Sequence, residues 1–176
     1  MKPTAFISRY QTPEGMDDLL LSSDGDVLTG VWFGGSRDEK KHAADFVEKE
    51  LPIFREAAAW LDAYFAGDLS VRKVPRYRLE NVTAFRQAVS DEMGKIPFGE
   101  VVTYGEIAKR IAAVRGVERM SAQAVGGAVG WNPICILIPC HRVVGAGGAM
   151  VGYGGGLKNK VALLAHEEKI LQRRNK

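Results

Sequence analysis

The glycines of this chain are unevenly spread, and their placement limits what its second half can form. Of 20 glycines, fourteen fall between Gly94 and Gly156. A glycine inside a helix costs about 1 kcal/mol relative to alanine, and a chain tolerates it where a turn or a close backbone approach is needed. Short elements joined by turns are therefore expected there. The 176 residues suffice for one large domain or two compact ones. An apolar share of 46% with 26% charged residues is that of a folded globular protein and excludes wholesale disorder. No window reaches the apolar length of a membrane span, and Met1-Lys2-Pro3-Thr4 lacks the apolar run of a secretory signal. Cys135 and Cys140, five apart around an apolar segment, cannot form a disulfide framework, so free thiols in a reducing cytoplasm are expected.

Charge divides the chain as well. Residues 1–79 carry 11 Lys and Arg against 13 Asp and Glu, whereas residues 80–176 carry 13 against 8. A basic half fits either a solvated surface or a polyanionic partner. In the acidic half, the apolar runs Asp17 to Leu21 and Val27 to Phe33 flank turn residues, which predicts a hairpin. His42 to Trp60 has helical periodicity, with Pro52 as a break or as the start of a second helix. Residues 70–80 read as a strand or linker where the charge changes sign.

Beyond Asn81, Thr83 to Met93 has helical spacing through Phe85, Val89 and Met93. A short extended piece follows at Gly99 to Thr103. Thr103-Tyr104-Gly105-Glu106 fits a capping box for a helix to about Ala113. Ser121 is a second N-cap, for a helix containing Gly126 and Gly127. Two short helices joined by a turn make a helix-turn-helix candidate. The paired glycines fit a tight helix–helix crossing or a ligand coming close, and the sequence leaves both open.

The chemistry centres on Ile134 to Ile138, an apolar run of strand length that ends at Pro139-Cys140-His141-Arg142. A thiol followed at once by an imidazole is a candidate for nucleophilic catalysis, provided the chain turns at Cys140 so that the two side chains meet. The alternative is an inert buried cysteine, which is the expectation for Cys135 between two isoleucines. A reactive Cys140 needs a base and an orienting carboxylate, and Glu167 or Glu168, beside His166 near the chain end, can supply the latter. The glycine-rich stretch Gly145 to Gly156 matches neither a phosphate loop nor a dinucleotide fingerprint. It reads as a loop over a pocket, with Tyr153 available to hold a flat ligand, or as two ordinary glycine turns.

Taken together, Asn132-Pro133, Ile138-Pro139-Cys140-His141-Arg142-Val143-Val144, Gly152-Tyr153-Gly154-Gly155-Gly156 and Leu163-Leu164-Ala165-His166-Glu167 closely resemble the O6-alkylguanine-DNA alkyltransferases, or methylated-DNA–protein cysteine methyltransferases. The likeness runs from about Thr83 to Glu168. It implies an α+β chain in which a small ribonuclease H-like α/β domain, residues 1–79, supports an alkyl-acceptor domain, residues 80–176. That second domain would be α-helical and winged-helix-like, with a helix-turn-helix. The resemblance implies repair by direct reversal. Cys140 takes the alkyl group of O6-alkylguanine once and is not regenerated, and O4-alkylthymine is a candidate second substrate.

In that scheme Glu167 orients His141, and His141 draws the Cys140 proton through a water. Asn132 braces the turn beneath the site. Tyr104 contacts the DNA phosphate that rotates and helps protonate the leaving guanine. Val143, Tyr153, Gly154, Gly155 and Trp131 would form the base pocket, and Trp131, Cys135 and Tyr153 part of its wall. Ser121, Ala122, Gln123, Gly126 and Arg142 would meet double-stranded DNA from the minor groove, around a flipped base. No cofactor, metal or membrane is implied, and the protein is expected to act as a monomer. Members with a structural zinc hold it in the first domain, where this chain has no cysteine and only His42. Where the family commonly has arginine this chain has Gln123, so weaker or differently salt-sensitive DNA binding is expected. A non-catalytic reader of alkylated DNA and a Cys-His hydrolase are the alternative readings.

Overall fold

A computed structural model of the chain describes residues 5–41, 45–70 and 73–176. Strands β1 (Ala5–Tyr10), β2 (Leu19–Ser23), β3 (Leu28–Phe33) and β4 (Phe46–Glu48) form one sheet in the order β3-β2-β1-β4. β1–β2 and β2–β3 are antiparallel and β1–β4 is parallel. The β2–β3 hairpin matches expectation. Asp24 Oδ1 closes its turn by accepting from the Asp26 and Val27 amides at 2.9 and 3.0 Å.

The expected helix from His42 is not what forms. Residues 42–44 lie outside the described residues, and Phe46–Glu48 pairs with β1 as an edge strand. Helix α1 (Arg37–Lys41) precedes it, and α2 (Pro52–Ala66) starts at Pro52, where a missing amide costs nothing. α2 ends at Gly67, whose φ of 78° closes the helix. Residues 73–80 are extended along β3, with Leu28 bonded to the Arg76 carbonyl and the Arg78 amide at 3.0 and 2.9 Å. Their basic side chains meet the acidic hairpin turn, Arg76 with Asp26 at 3.0 Å and Arg78 with Asp24 at 2.6 Å. These pairs lie within the first half and leave the charge difference between the halves unchanged.

The second half is helical: α3 (Ala84–Gly94), α4 (Tyr104–Arg115), α5 (Ala122–Trp131) and α6 (Leu157–Arg174). The predicted caps form. Thr103 and Glu106 make a reciprocal capping box, and Ser121 Oγ accepts from the Ala124 amide at 3.1 Å. Two short strands, β5 (Val102–Thr103) and β6 (Val143–Val144), pair in parallel and tie the start of α4 to the segment just after Cys140. α4 and α5 pack on each other and on α3.

The chain is thus α+β, with a sheet-bearing N-terminal half and a helical C-terminal half. One core runs through both: Leu19, Val31 and Phe33 share it with Ile107, Ile134 and Leu163. The free edge of β3 carries the junction. The Val31 amide donates to Pro133 O at 2.8 Å, and the Cys135 amide donates to Val31 O at 2.9 Å. No helix among the described residues is long and apolar enough to cross a membrane.

Candidate active site

The apolar run Ile134 to Ile138 is a buried turn, not the expected strand. The Ile138 amide donates to Ile134 O at 3.1 Å and the Leu137 amide to Cys135 O at 2.8 Å. Ile136 is held at φ 69°, a strained position for a β-branched residue. The cause is Asn132. Its amide nitrogen donates to Ile134 O and Ile138 O at 3.3 and 3.0 Å, and its Oδ1 accepts from the Ile134 amide at 3.0 Å. Every one of these atoms is buried, so Asn132→Ala leaves polar groups unsatisfied and should cost about 2–3 kcal/mol. Thermal unfolding checks this, and an unchanged midpoint would remove Asn132 as the brace.

This reversal delivers Cys140 into a tight 3-10 turn, Cys140–Arg142, with its amide bonded to Ile138 O at 2.8 Å. Cys140 is 3% exposed and lies on a cavity of about 940 Å³. Tyr104, Gln123, Gly126, Trp131, Asn132 and Tyr153 share that wall. The Tyr153 hydroxyl is 3.8 Å from Cys140 Sγ.

Behind the turn, Glu167 of α6 collects five hydrogen-bond donors in a fully buried position. His141 Nε2 is 2.7 Å from Oε1, and the Arg142 guanidinium grips the carboxylate through Nε and an Nη at 2.8–3.1 Å. The Tyr64 hydroxyl donates to Oε1 at 2.8 Å and the Gly99 amide to Oε2 at 2.9 Å. Burial alone would push this carboxyl up, but the His141 hydrogen bond and the Arg142 charge hold it well below the usual carboxylate range. Burial, opposed by Glu167, pushes the His141 imidazole down, so the ring is neutral. Its Nδ1 is buried with no hydrogen-bond partner among the described residues and is the atom left to take a proton. No direct hydrogen bond joins His141 to Cys140 among the described residues, so a proton leaving the thiol needs an intermediary.

A hydrogen bond from Cys135 draws the Cys140 thiol below its ordinary range, aided by Asn132 and Tyr153 and opposed by burial. The same contact and burial push Cys135 up. Burial and the nearby Cys140 charge raise the Tyr153 and Tyr104 hydroxyls, which stay protonated and able to donate.

The structure brings most of the predicted residues together. Val143 is buried, and its carbonyl accepts from Lys160 Nζ at 2.6 Å. At Gly154 a Cβ would fall onto the Asp38 carboxylate, and at Gly155 it would stand 2.8 Å from Phe33, so both positions need glycine. Trp131 lies under the Arg86 guanidinium, 4.7 Å from the ring centre. Ala122, Gln123 and Gly126 line the mouth of the cavity, whereas Ser121 caps their helix. A Cβ at Gly126 would stand 3.8 Å from Tyr104, and at Gly127 it would meet nothing within 4 Å. Packing within the chain therefore requires neither glycine, which favours close approach of a ligand over a tight helix crossing.

Arg142, expected among the DNA-facing residues, turns inward. Beyond Glu167 it bonds Ile96 O at 2.8 Å, and it does not line the cavity. Sequence reasoning missed Tyr64, Arg37 and Asp38, which only the tertiary fold carries to the site. It also missed Lys160, although its spacing of seven before Glu167 on one helix was a usable signal.

Comparisons with known proteins agree with this geometry. Residues 84–169 match the family described as 6-O-methylguanine DNA methyltransferase, DNA binding domain. The methylated-DNA–protein-cysteine methyltransferase of Haemophilus influenzae is 38% identical over 93% of this chain and 86% of its own length. The crystal structure of Mycobacterium tuberculosis O6-methylguanine methyltransferase superimposes with a TM-score of 0.76 at 36% identity, covering 94% of both chains. A structure of the M. tuberculosis protein in complex with DNA gives 0.76 at 35% identity, over 95% of this chain and 94% of that one. Sequence and architecture therefore agree along nearly the whole length, and the chain belongs to the O6-alkylguanine-DNA alkyltransferase (methylated-DNA–protein cysteine methyltransferase) family.

Proposed function

We propose that this protein repairs double-stranded DNA by moving the alkyl group of O6-alkylguanine onto Cys140 in a single turnover. The observation that carries the reading is the Cys140 thiol on the wall of a cavity whose mouth is the small-residue face of α5, with the buried His141–Glu167 pair behind its turn. Cys140 loses its proton through a water to His141 Nδ1, and Glu167 holds the imidazole in place. The thiolate attacks the alkyl carbon, an S–C bond forms, and the C–O bond to the base breaks with its electron pair passing to guanine. Tyr104 returns a proton to the leaving base. The product thioether is stable and leaves no nucleophile for a second cycle.

An alkyl group on guanine O6 is shielded in the stacked duplex, so the nucleotide has to leave the stack, at a cost of a few kcal/mol. We read α4, the connecting turn and α5 as a helix-turn-helix in a winged-helix-like domain. The bare backbone at Ala122, Gly126 and Gly127 fits a minor groove, Gln123 fills the gap left by the base, and Trp131, Val143, Tyr153, Gly154 and Gly155 form the base pocket. Residues 1–79, with a ribonuclease H-like sheet, act as support for residues 80–176. The protein acts as a monomer. The inward turn of Arg142 supports a role in holding Glu167.

Duplex DNA with one O6-methylguanine tests the reading. Guanine should be restored with one protein consumed per lesion, whereas repair beyond that ratio, or none at full occupancy of the DNA, would refute it. Gln123→Arg adds a cation at the mouth of the cavity. It should tighten DNA binding and steepen the dependence of log affinity on log salt by about 0.9 if it reaches a phosphate. Titration at several salt concentrations checks this, and an unchanged slope would place residue 123 away from the phosphates.

A further inference from the structure

The glycine-rich wall of the cavity is held from outside. Gly154, Gly155 and Gly156 follow one another beyond any helix or strand, and such a run has many backbone conformations open to it. Yet all three carbonyls are engaged. Gly154 O accepts from the Asp38 amide at 3.3 Å, Gly155 O from Asn159 Nδ2 at 2.7 Å, and Gly156 O from the Asn159 and Lys160 amides at 3.1 Å. Asn159, in the first turn of α6, is 1% exposed. Its side chain does not cap its own helix, which starts after Gly156 without a side-chain cap. It reaches the first half of the chain instead. Oδ1 accepts from the Asp17 amide and Nδ2 donates to Asp17 Oδ2, both at 2.9 Å. Both Nδ2 protons and Oδ1 are thus used, and only a carboxamide offers two such donors beside an acceptor. The turn that carries Asp17 is fixed in its own right. Thr12 Oγ1 donates to Met16 O and Asp17 O at 3.2 and 3.0 Å, and the Thr12 amide donates to Asp18 Oδ1 at 3.2 Å.

We propose that Asn159 is a positioning residue for the transfer, clamping the Gly154–Gly156 wall to the Asp17 turn so that an everted purine is seated at a fixed distance from Cys140. The inference rests on the proposed transfer to Cys140. Asn159 itself does not line the cavity, whereas Tyr153 and Gly154 do. Gly155 packs on Phe33 and on the Tyr153 ring, and the Tyr153 hydroxyl stands 3.8 Å from Cys140 Sγ. Holding the Gly155 carbonyl therefore holds the wall next to the sulfur. A wall displaced by about 1 Å spoils the alignment of thiolate, alkyl carbon and leaving oxygen, which can cost a hundredfold in rate. A small electrophile such as iodoacetamide uses no purine seat, so its reaction reports the thiol alone. The Lys158–Asp17 ion pair beside the clamp is exposed and adds little.

Three measurements test the clamp: the single-turnover transfer rate at saturating O6-methylguanine duplex, the affinity for that duplex, and the rate of Cys140 labelling by iodoacetamide, read by peptide mass. Asn159→Leu keeps the volume and loses the side-chain hydrogen bonds. Its saturating transfer rate should fall about tenfold, while affinity and labelling stay within about twofold of wild type. Asp17→Ala, away from the cavity, should slow transfer in the same way. Asp17→Asn, whose carboxamide oxygen still accepts from Nδ2, should transfer at close to the wild-type rate, and so should Lys158→Ala. If Asn159→Leu does not fold, as thermal unfolding would show, the Asp17 pair decides. Transfer unchanged in Asn159→Leu or Asp17→Ala would overturn the proposal. So would transfer and labelling that fall together, affinity that falls at an unchanged saturating rate, or an Asp17→Asn variant as slow as Asp17→Ala. Wild-type protein that transfers nothing while fully DNA-bound would sink the repair reading and the clamp with it. Wild-type transfer beside unaffected variants would sink the clamp alone.

Discussion

Cys140→Ala protein is expected to bind duplex DNA containing O6-methylguanine with near wild-type affinity and to restore no guanine at all. The side chain is small and 3% exposed, so its loss removes little binding surface. The cavity mouth formed by Ala122, Gln123 and Gly126 belongs to α5 and does not depend on the sulfur. Chemistry, by contrast, has no substitute. Thr103, Tyr104 and Tyr153 bring hydroxyls to the cavity wall, the two phenols are held protonated, and an uncharged hydroxyl does not displace guanine from carbon. Fluorescence anisotropy and base analysis of the recovered DNA separate the two properties. Loss of both would make Cys140 a structural residue.

The second large effect is expected at Glu167. A glutamine there keeps one acceptor oxygen and replaces the other with an amide NH₂ group, which donates and cannot accept. Depending on which oxygen is lost, it strands either the Gly99 amide and Arg142 Nε or the His141, Tyr64 and Arg142 Nη donors, and in both cases leaves the Arg142 guanidinium buried beside a neutral group. Breaking a buried ion pair from one side typically costs about 3–5 kcal/mol, and Glu167→Gln should lose that much in denaturant unfolding at neutral pH. The transfer rate should fall by about a hundredfold, the lower end of what a positioned general base supplies. The stability effect has a definite pH dependence. The folded-state pKa of Glu167 is depressed, so its stabilisation is complete above the ordinary carboxyl value of 4.5 and fades as the pH falls toward the folded value. The gap between wild type and Glu167→Gln should therefore narrow in acid. A gap that widens in acid, or a variant as stable as wild type, would mean that the carboxylate is not the hub of this cluster.

What the sequence made legible was mostly local. Thr103 with Glu106 and Ser121 announce two helix starts because a cap is a contact across three residues. Cys140 and His141 are adjacent, and Asn132-Pro133 and Glu167 were read through a family likeness carried by contiguous motifs. Features that depend on distant partners stayed hidden. β1 pairs with two strands and is half-buried along most of its length, so it lacks a clean alternating pattern. Phe46 to Glu48 has helical spacing on paper but completes the sheet edge. Ile134 to Ile138 has the composition of a strand, and only the Asn132 side chain, with three hydrogen bonds, folds it back through a left-handed Ile136. Arg142 reads as a surface cation until Glu167 and Ile96 O are placed beside it. Asp38 and Tyr64 reach the site from the other half of the chain across 97 and 103 residues. These are tertiary choices, which local propensity does not encode.

The most direct measurement is peptide-level mass spectrometry of the protein after it has been saturated with duplex DNA carrying O6-methylguanine. The peptide holding Cys140 should gain the mass of one CH₂ group, with Cys135 unmodified and the DNA returned to plain guanine. A native-mass Cys140 peptide from protein shown to be fully DNA-bound, or the added mass on another residue, would contradict the account.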